Sequence, residues 1–235
     1  MVDILVSGGG EHGPVMVPGD DRGLAYGDGL FETILIRHGR PELVQAHRRR
    51  LLDGARRLGI PLVQADLDLA LRRGQTLIDR AGTADRQVLK LLLTRGSGGR
   101  GYRPPETAVP RLLISLHDAP PEPASDGVAV SISDVPLTVN PVLAGLKTLN
   151  RLEQVLASRT MPEGCYEALM TGDRGDLREG TRTALLYRWQ GEWCTPPRDQ
   201  VAVNSVMLAH VAQGLAESGQ GVREAFLRPE QCYQD

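Results

Sequence analysis

Leu146-Lys147-Thr148-Leu149-Asn150-Arg151-Leu152-Glu153-Gln154-Val155-Leu156 is the stretch around which the rest of the chain is arranged. Gly145, with Pro141 upstream, leads into a segment whose Leu149, Leu152, Val155 and Leu156 recur at helical spacing. That spacing predicts a helix and puts Lys147 at its start rather than on its solvated face. Withdrawal from bulk water disfavours an ammonium, and an unprotonated amine is what Schiff-base chemistry requires. A lone lysine beside a helix start is by itself an ordinary surface residue, so the weight falls on what accompanies it.

Downstream, residues 166–171 read as a strand and Gly172-Asp173-Arg174-Gly175 as a turn. Leu177-Arg178-Glu179-Gly180-Thr181-Arg182-Thr183 then leads into a strand over 184–189, which Gln190-Gly191 turns back into Glu192-Trp193-Cys194-Thr195. Glu179 is either an exposed glutamate or a carboxylate facing a heterocycle, where it would hold a ring nitrogen protonated. After Pro196-Pro197, Asn204 or Ser205 caps a helix carried by Met207, Leu208, Val211, Ala212 and Leu215 and stopped at Gly219. Its first amides, around Ser205, Val206 and Met207, offer an anion site, as every helix start does. A last short strand covers 222–226.

Upstream, Val128, Val130 and Ile132 alternate with Ala129, Ser131 and Ser133, which predicts a half-buried strand. Asp118-Ala119-Pro120-Pro121-Glu122-Pro123 reads as an interdomain connection, giving domains over 1–118 and 124–235 with a linker over 119–123. In the first domain, residues 4–6 and 14–17 form a strand pair around Gly8-Gly9-Gly10 and Gly13. Residues 31–37 form a strand ending at the turn His38-Gly39-Arg40-Pro41. An amphipathic helix on Val44, Leu51, Ala55 and Leu58 follows and stops at Gly59. Arg48, Arg49, Arg56 and Arg57 make its solvated face, whereas Arg50 lies at the edge of the apolar stripe, where it could turn inward toward an anion. A second helix covers 66–81, residues 88–94 read as a buried strand and residues 111–116 as another strand. Arg95-Gly96-Ser97-Gly98-Gly99-Arg100-Gly101-Tyr102-Arg103-Pro104-Pro105 is either a flexible linker or a loop whose Arg95, Arg100 and Tyr102 read carboxylates.

A chain of 235 residues with a formal charge of -2 can enclose a real core and carries no electrostatic footprint for nucleic acid or an anionic membrane. Cys165, Cys194 and Cys232 are odd in number and widely spaced, which suggests neither a disulfide framework nor a zinc site and fits a reducing, cytoplasmic setting. No signal sequence and no run of eighteen apolar residues is present, so a membrane protein is not expected.

Three stretches together resemble the fold-type IV pyridoxal-phosphate enzymes, and among them the 4-amino-4-deoxychorismate lyases. These are Asp21-Arg22 through Tyr26-Gly27-Asp28-Gly29-Leu30-Phe31-Glu32-Thr33, then Thr94-Arg95-Gly96-Ser97-Gly98-Gly99-Arg100-Gly101-Tyr102, and the opening stretch itself. The first marks the whole group, including branched-chain and D-amino-acid aminotransferases; the second and third look more like the lyases. The resemblance implies an α+β fold of two domains, a smaller N-terminal α/β sandwich and a larger C-terminal β-pseudobarrel with flanking helices.

It also implies pyridoxal 5'-phosphate as cofactor, with Lys147 carrying it covalently and moving the proton, and Glu179 facing the pyridine nitrogen. Arg50 and the 204–207 segment with Ser205, Val206 and Met207 would hold the phosphate, and Arg182 would also bind the cofactor. Tyr26, Arg95, Arg100 and Tyr102 would grip the carboxylates of 4-amino-4-deoxychorismate, on the way to 4-aminobenzoate, pyruvate and folate. A homodimer reached by a loop from its partner is implied as well.

Two features depart from that pattern. Ala184 stands where asparagine is usual, and the chain stops at Asp235 where the family normally continues into a further strand and loop. The shortening raises an expectation of weakened cofactor binding, altered substrate choice or lost activity. The readings competing with the lyase are an aminotransferase of the same fold and an inactive homologue serving as a binding or dimerisation module.

Overall fold

A computed structural model of the chain describes residues 2–7, 15–82 and 85–233. Two compact units emerge: Met1–Pro121 with Lys147–Asn150, and Glu122–Leu146 with Arg151–Asp235.

The first unit holds β1 (Asp3–Ser7), α1 (Arg22–Tyr26), β2 (Gly29–Arg37), β3 (Arg40–Pro41), α2 (Val44–Leu58), α3 (Gln64–Ala81), β4 (Arg86–Thr94) and β5 (Arg111–Asp118). Its five strands form one sheet in the order β1-β5-β4-β2-β3. The β2, β4 and β5 strands pair antiparallel in full register, from Gly29↔Thr94 to Arg37↔Arg86 and from Gln87↔Asp118 to Thr94↔Arg111. Strand side chains alternate between faces. Leu30, Ile34 and Ile36 of β2 and Leu89, Leu91 and Leu93 of β4 therefore go into the core, each about 1.5–3 kcal/mol of burial. Helix α3 sends Leu67, Ala70, Gly74, Leu77 and Ile78 inward. Gly74 lets Leu89 approach, since a Cβ there would stand 2.9 Å from a Leu89 methyl.

The β2–β3 hairpin turns on His38 and Gly39 with φ of 48° and 73°, matching the right-handed strand twist. As its sequence predicts, α2 ends at Gly59, whose φ is 64° and whose N–H bonds back to Ala55 and Arg56.

One pairing differs from expectation. Residues 4–6 do not pair with 14–17; β1 joins β5 in parallel, from Asp3↔Arg111 to Ser7↔Ser115. The continuous apolar run Leu112-Leu113-Ile114 offers a longer partner than a glycine-interrupted neighbour. Residues 15–17 are not strand. Gly8, Gly9, Gly10, Gly13 and Pro14, which carried the turn, lie outside the described residues.

The second unit holds β6 (Val130–Ile132), α4 (Leu152–Arg159), β7 (Glu167–Thr171), β8 (Leu177–Gly180), β9 (Tyr187–Trp189), β10 (Glu192–Thr195), α5 (Val206–Glu217) and β11 (Val222–Glu224). Its strands make two three-stranded sheets, β6-β7-β8 and β11-β10-β9. A core of Leu137, Ala157 and Met170 ties α4 to β7. The alternation in β6 survives with its faces reversed: Val130 and Ile132 are exposed and Ser133 is buried. The strand lies at the edge of its sheet with Ser131 paired to buried Ala168, so the small residues take the crowded side. Among the described residues, no helix is long and apolar enough to cross a membrane.

Candidate functional site

Lys147 does not begin a helix. Helix α4 starts five residues later at Leu152, and Lys147–Asn150 runs extended against β2 in the first unit. Phe31 N–H donates to Lys147 O at 2.9 Å, Leu149 N–H donates to Gly29 O at 3.0 Å, and Thr148 bridges Leu30. Sheet pairing captures these residues before the helical period can act, and Leu152 and Val155, which suggested the period, are exposed on α4. Gly29 permits the approach: a Cβ there would overlap Leu93 O and the Leu149 side chain. The half-buried Lys147 keeps its Nζ over the Phe31 ring, 4.2 Å from the centroid. The chain contains two lysines, and the other, Lys90, sits in mid-strand on β4 opposite Thr33.

Arg50 does turn inward, toward an anion supplied by the chain itself. Its Nε donates to Glu32 Oε1 at 2.8 Å and its Nη2 to Glu32 Oε2 at 2.5 Å, while His47 Nδ1 lies 2.6 Å from Oε2. His47 and Arg50 are three residues apart on α2, on one face. Glu32 occupies an inward position of β2 and is 1% exposed. Burial pushes its carboxyl upward, but the hydrogen bonds and charges of Arg50 and His47 prevail and hold it below the ordinary glutamate value. The pattern offered a signal here: a carboxylate at an apolar-phase position of a strand demands a buried partner.

The glycine-rich loop is ordered. Arg95 is buried, with Nε and Nη2 on both oxygens of Asp28 (2.7 and 3.0 Å), and Nη1 and Nη2 on the carbonyls of Gly59 and Leu58 (2.7 and 2.8 Å). Its fork closes the end of α2 onto β4. Arg100 and Tyr102 are exposed, Tyr102 at 87%. Tyr26 meets Tyr102 edge-on with ring centroids 5.5 Å apart.

In the second unit, Glu179 is buried on β8 and its Oε2 accepts from Val203 N at 3.1 Å. The segment 200–205 is pinned along its length. Arg178 Nη1 donates to Gln200 O and Oε1 at 3.1 and 2.7 Å, Gly145 N donates to Val201 O at 3.0 Å, and Asn204 N donates to Gly145 O at 3.0 Å. Gly145 has φ of 76°, and a Cβ on it would overlap the Asn204 side chain. Ser205 caps α5 by accepting from Leu208 N at 3.1 Å. The amides of Val206 and Met207 lie in the first turn and have no acceptor within the helix. A cavity of about 360 Å³ opens along α5 from its Ser205 cap, facing β8, and is lined by Glu179, Ala184, Val203, Asn204, Ser205 and Leu208 among others.

Ala184 contributes a small side chain to that wall and a backbone bridge to Glu179. Arg182 lies over the Tyr166 ring at 4.3 Å and donates to Tyr166 O at 2.5 Å, with Glu167 3.5 Å from its Nε. It is thus committed to the start of β7.

Lys147, Arg50, Tyr26, Arg100 and Tyr102 therefore belong to the first unit, and Glu179, Arg182, Ser205, Val206 and Met207 to the second. Arg22, Asp28 and Glu32 hold Tyr102, Arg95 and Arg50 respectively, His47 supports Glu32 and Gly145 holds Asn204; none of the five reads as a site residue in the sequence.

Comparison with known proteins matches residues 29–234 to the family model of class IV amino-transferases. The aminodeoxychorismate lyase of Vibrio harveyi is 31% identical over 213 residues, 89% of this chain and 77% of the relative. A Methanocaldococcus jannaschii protein, named as a candidate branched-chain-amino-acid aminotransferase, is also 31% identical, over 91% of this chain and 74% of its own length. The crystal structure of 4-amino-4-deoxychorismate lyase from Pseudomonas aeruginosa superposes with a TM-score of 0.81 at 35% identity, covering 94% of this chain and 81% of that one.

Proposed function

Because the chain belongs to the class IV amino-transferase family, we propose that it is a pyridoxal-phosphate-dependent lyase releasing 4-aminobenzoate and pyruvate from 4-amino-4-deoxychorismate. The residues present fit the cofactor. A buried carboxylate, Glu179, and the cap residue of a helix, Ser205, line one cavity of about 360 Å³, a setting that suits a ring nitrogen and a phosphate near a helix start. When bound, the cofactor supplies an electron sink.

The remaining roles belong to the chain. Lys147 would hold the cofactor covalently through Nζ, and the same amine would move the proton at C4 of the substrate. Glu179 keeps the ring nitrogen protonated. Arg50 and the amides of Val206 and Met207 would take the phosphate. Arg100, Tyr102 and Tyr26 hold the substrate carboxylates, and departure of the enolpyruvyl group leaves an aromatic ring.

The observation that carries the lyase reading is the ordered Gly98-Gly99-Arg100-Gly101-Tyr102 loop, which presents an exposed arginine beside an aromatic pair. An aminotransferase is the second reading, favoured by the equal identity to the Methanocaldococcus jannaschii relative. Purified protein with pyridoxal phosphate and enzymatically prepared aminodeoxychorismate decides between them. Release of 4-aminobenzoate that disappears in Lys147→Ala supports the lyase. Turnover of an amine donor and a keto acid without aminobenzoate supports the transaminase, and failure of both together with no cofactor binding supports the inactive homologue. The working assembly is a homodimer, which light scattering of the cofactor-loaded protein tests.

A further inference from the structure

Arg22 is 3% exposed, and its guanidinium faces the inside of the glycine-rich loop. Its Nη2 donates to Tyr102 O at 2.8 Å, and its Nη1 reaches the carbonyls of Gly101, Gly98 and Arg103 at 3.1, 3.5 and 3.5 Å. Its Nε is held by Asp28 Oδ2 at 2.9 Å, and Asp28 is locked in turn by Arg95. The Arg22 Cζ lies 5.0 Å from the Tyr26 centroid, and Tyr26 is the ring that supports Tyr102. One buried side chain thus serves as the hub of a loop whose Gly96, Gly98, Gly99 and Gly101 all have positive φ. Four such glycines left to themselves sample many conformations. An arginine can hold several carbonyls at once because its donors lie in one rigid plane; a lysine cannot reproduce that fan.

We propose that Arg22 is the positioning residue for recognition of the substrate carboxylates: it touches no substrate itself and fixes Arg100 and Tyr102 in binding geometry. The proposal rests on the carboxylate-gripping role assigned above to this loop. Ordering the loop before substrate arrives removes an entropic cost from binding, so loss of Arg22 weakens KM while the chemistry at Lys147 continues.

The test uses the cofactor-loaded protein as wild type, Arg22→Lys and Gly99→Ala. The Gly99 variant keeps Arg22 and puts a Cβ 2.8 Å from Arg103 O and 3.4 Å from Arg22 Nη1, at a φ of 77°. It therefore disturbs the same carbonyls from an exposed position if the arginine variant does not fold. Three quantities are read: KM and kcat for aminodeoxychorismate, cofactor affinity, and the rate of limited tryptic cleavage after Arg100.

The expected result is a KM raised about tenfold or more, with kcat and cofactor affinity within about threefold of wild type and faster cleavage after Arg100 in both variants. An unchanged KM in an active variant overturns the proposal, as does an unchanged cleavage rate. So does a fall confined to kcat. Should wild type release no aminobenzoate, the lyase reading fails by itself. The same KM comparison is then made with D-alanine and leucine as amine donors, where an unchanged KM again overturns the role of Arg22.

Discussion

Replacing Glu32 with glutamine removes a buried negative charge while keeping the side chain's shape. In wild type the carboxylate accepts two bonds from Arg50 and lies in hydrogen-bond contact with His47, at 2.8, 2.5 and 2.6 Å. A hydrogen bond to a charged group contributes about 1.5–3 kcal/mol and a neutral one about 1. A glutamine oxygen can satisfy one arginine N–H, but its amide nitrogen then presents hydrogens to the other. The expected destabilisation is about 3 kcal/mol, at the low end of the cost of leaving a buried charge unpaired. For a chain of this size that is about 6–12 °C in Tm.

The sign of the pH dependence follows from the direction of the Glu32 shift. A folded-state value below the ordinary one means the stabilisation is complete above about pH 4.3, the unfolded glutamate value, and is lost as pH falls through the lower folded value. Urea titrations of both proteins at pH 7, 5, 4 and 3 read this directly. The gap should be full at pH 7 and 5 and should close on acidification as wild type becomes protonated. A gap under about 1 kcal/mol at pH 7, or one that widens toward pH 3, would refute the reasoning.

Asp28→Asn should lose about 3 kcal/mol by urea titration, because Asp28 anchors both Arg22 and Arg95; burial opposes its ionisation, but the two arginines hold its carboxyl below the ordinary value. That contribution too should be complete above about pH 3.9 and be lost as pH falls through the lower folded value. Gly145→Ala forces a non-glycine residue into φ of 76° against Asn204 and should cost about 2–3 kcal/mol in thermal unfolding. Since Gly145 also pins Val201 and Asn204, cofactor affinity measured by fluorescence titration should fall in the same variant. Gly29→Ala should be more damaging than Gly39→Ala in the same assay, because a Cβ on Gly29 meets the Leu93 carbonyl whereas that on Gly39 meets open space.

Periodicity worked where one neighbour dominates. The α2 and α3 helices show their inward stripes in sequence because each lies on a single apolar sheet face, and the β2, β4 and β5 strands are apolar for the same reason. It failed around Lys147, where Leu149 fits a helical spacing yet is fixed by a backbone bond to Gly29, more than a hundred residues away in the chain. No local pattern contains that partner. The β6 strand failed in another way: alternation states that two faces differ, and only the neighbouring Ala168 determines which is crowded.

Site residues identified through the resemblance were legible as residue types, but the groups that hold them were not. Glu32 faces inward on β2, and nothing local in the chain names Arg50, eighteen residues on, as its partner. Arg22 sits in a five-residue helix with no periodicity to mark it, and its partners are carbonyls whose identity lies in the shape of a loop.

The proposed chemistry requires one covalent attachment, and the chain offers two lysines at which it can form, Lys147 and Lys90. Borohydride reduction of the protein loaded with pyridoxal phosphate, followed by peptide mass spectrometry, locates the bond. The predicted result is the pyridoxyl mass on the peptide containing Lys147 in near-stoichiometric yield, with Lys90 unmodified. Label on Lys90 instead, or on neither lysine at saturating cofactor, would contradict the central claim.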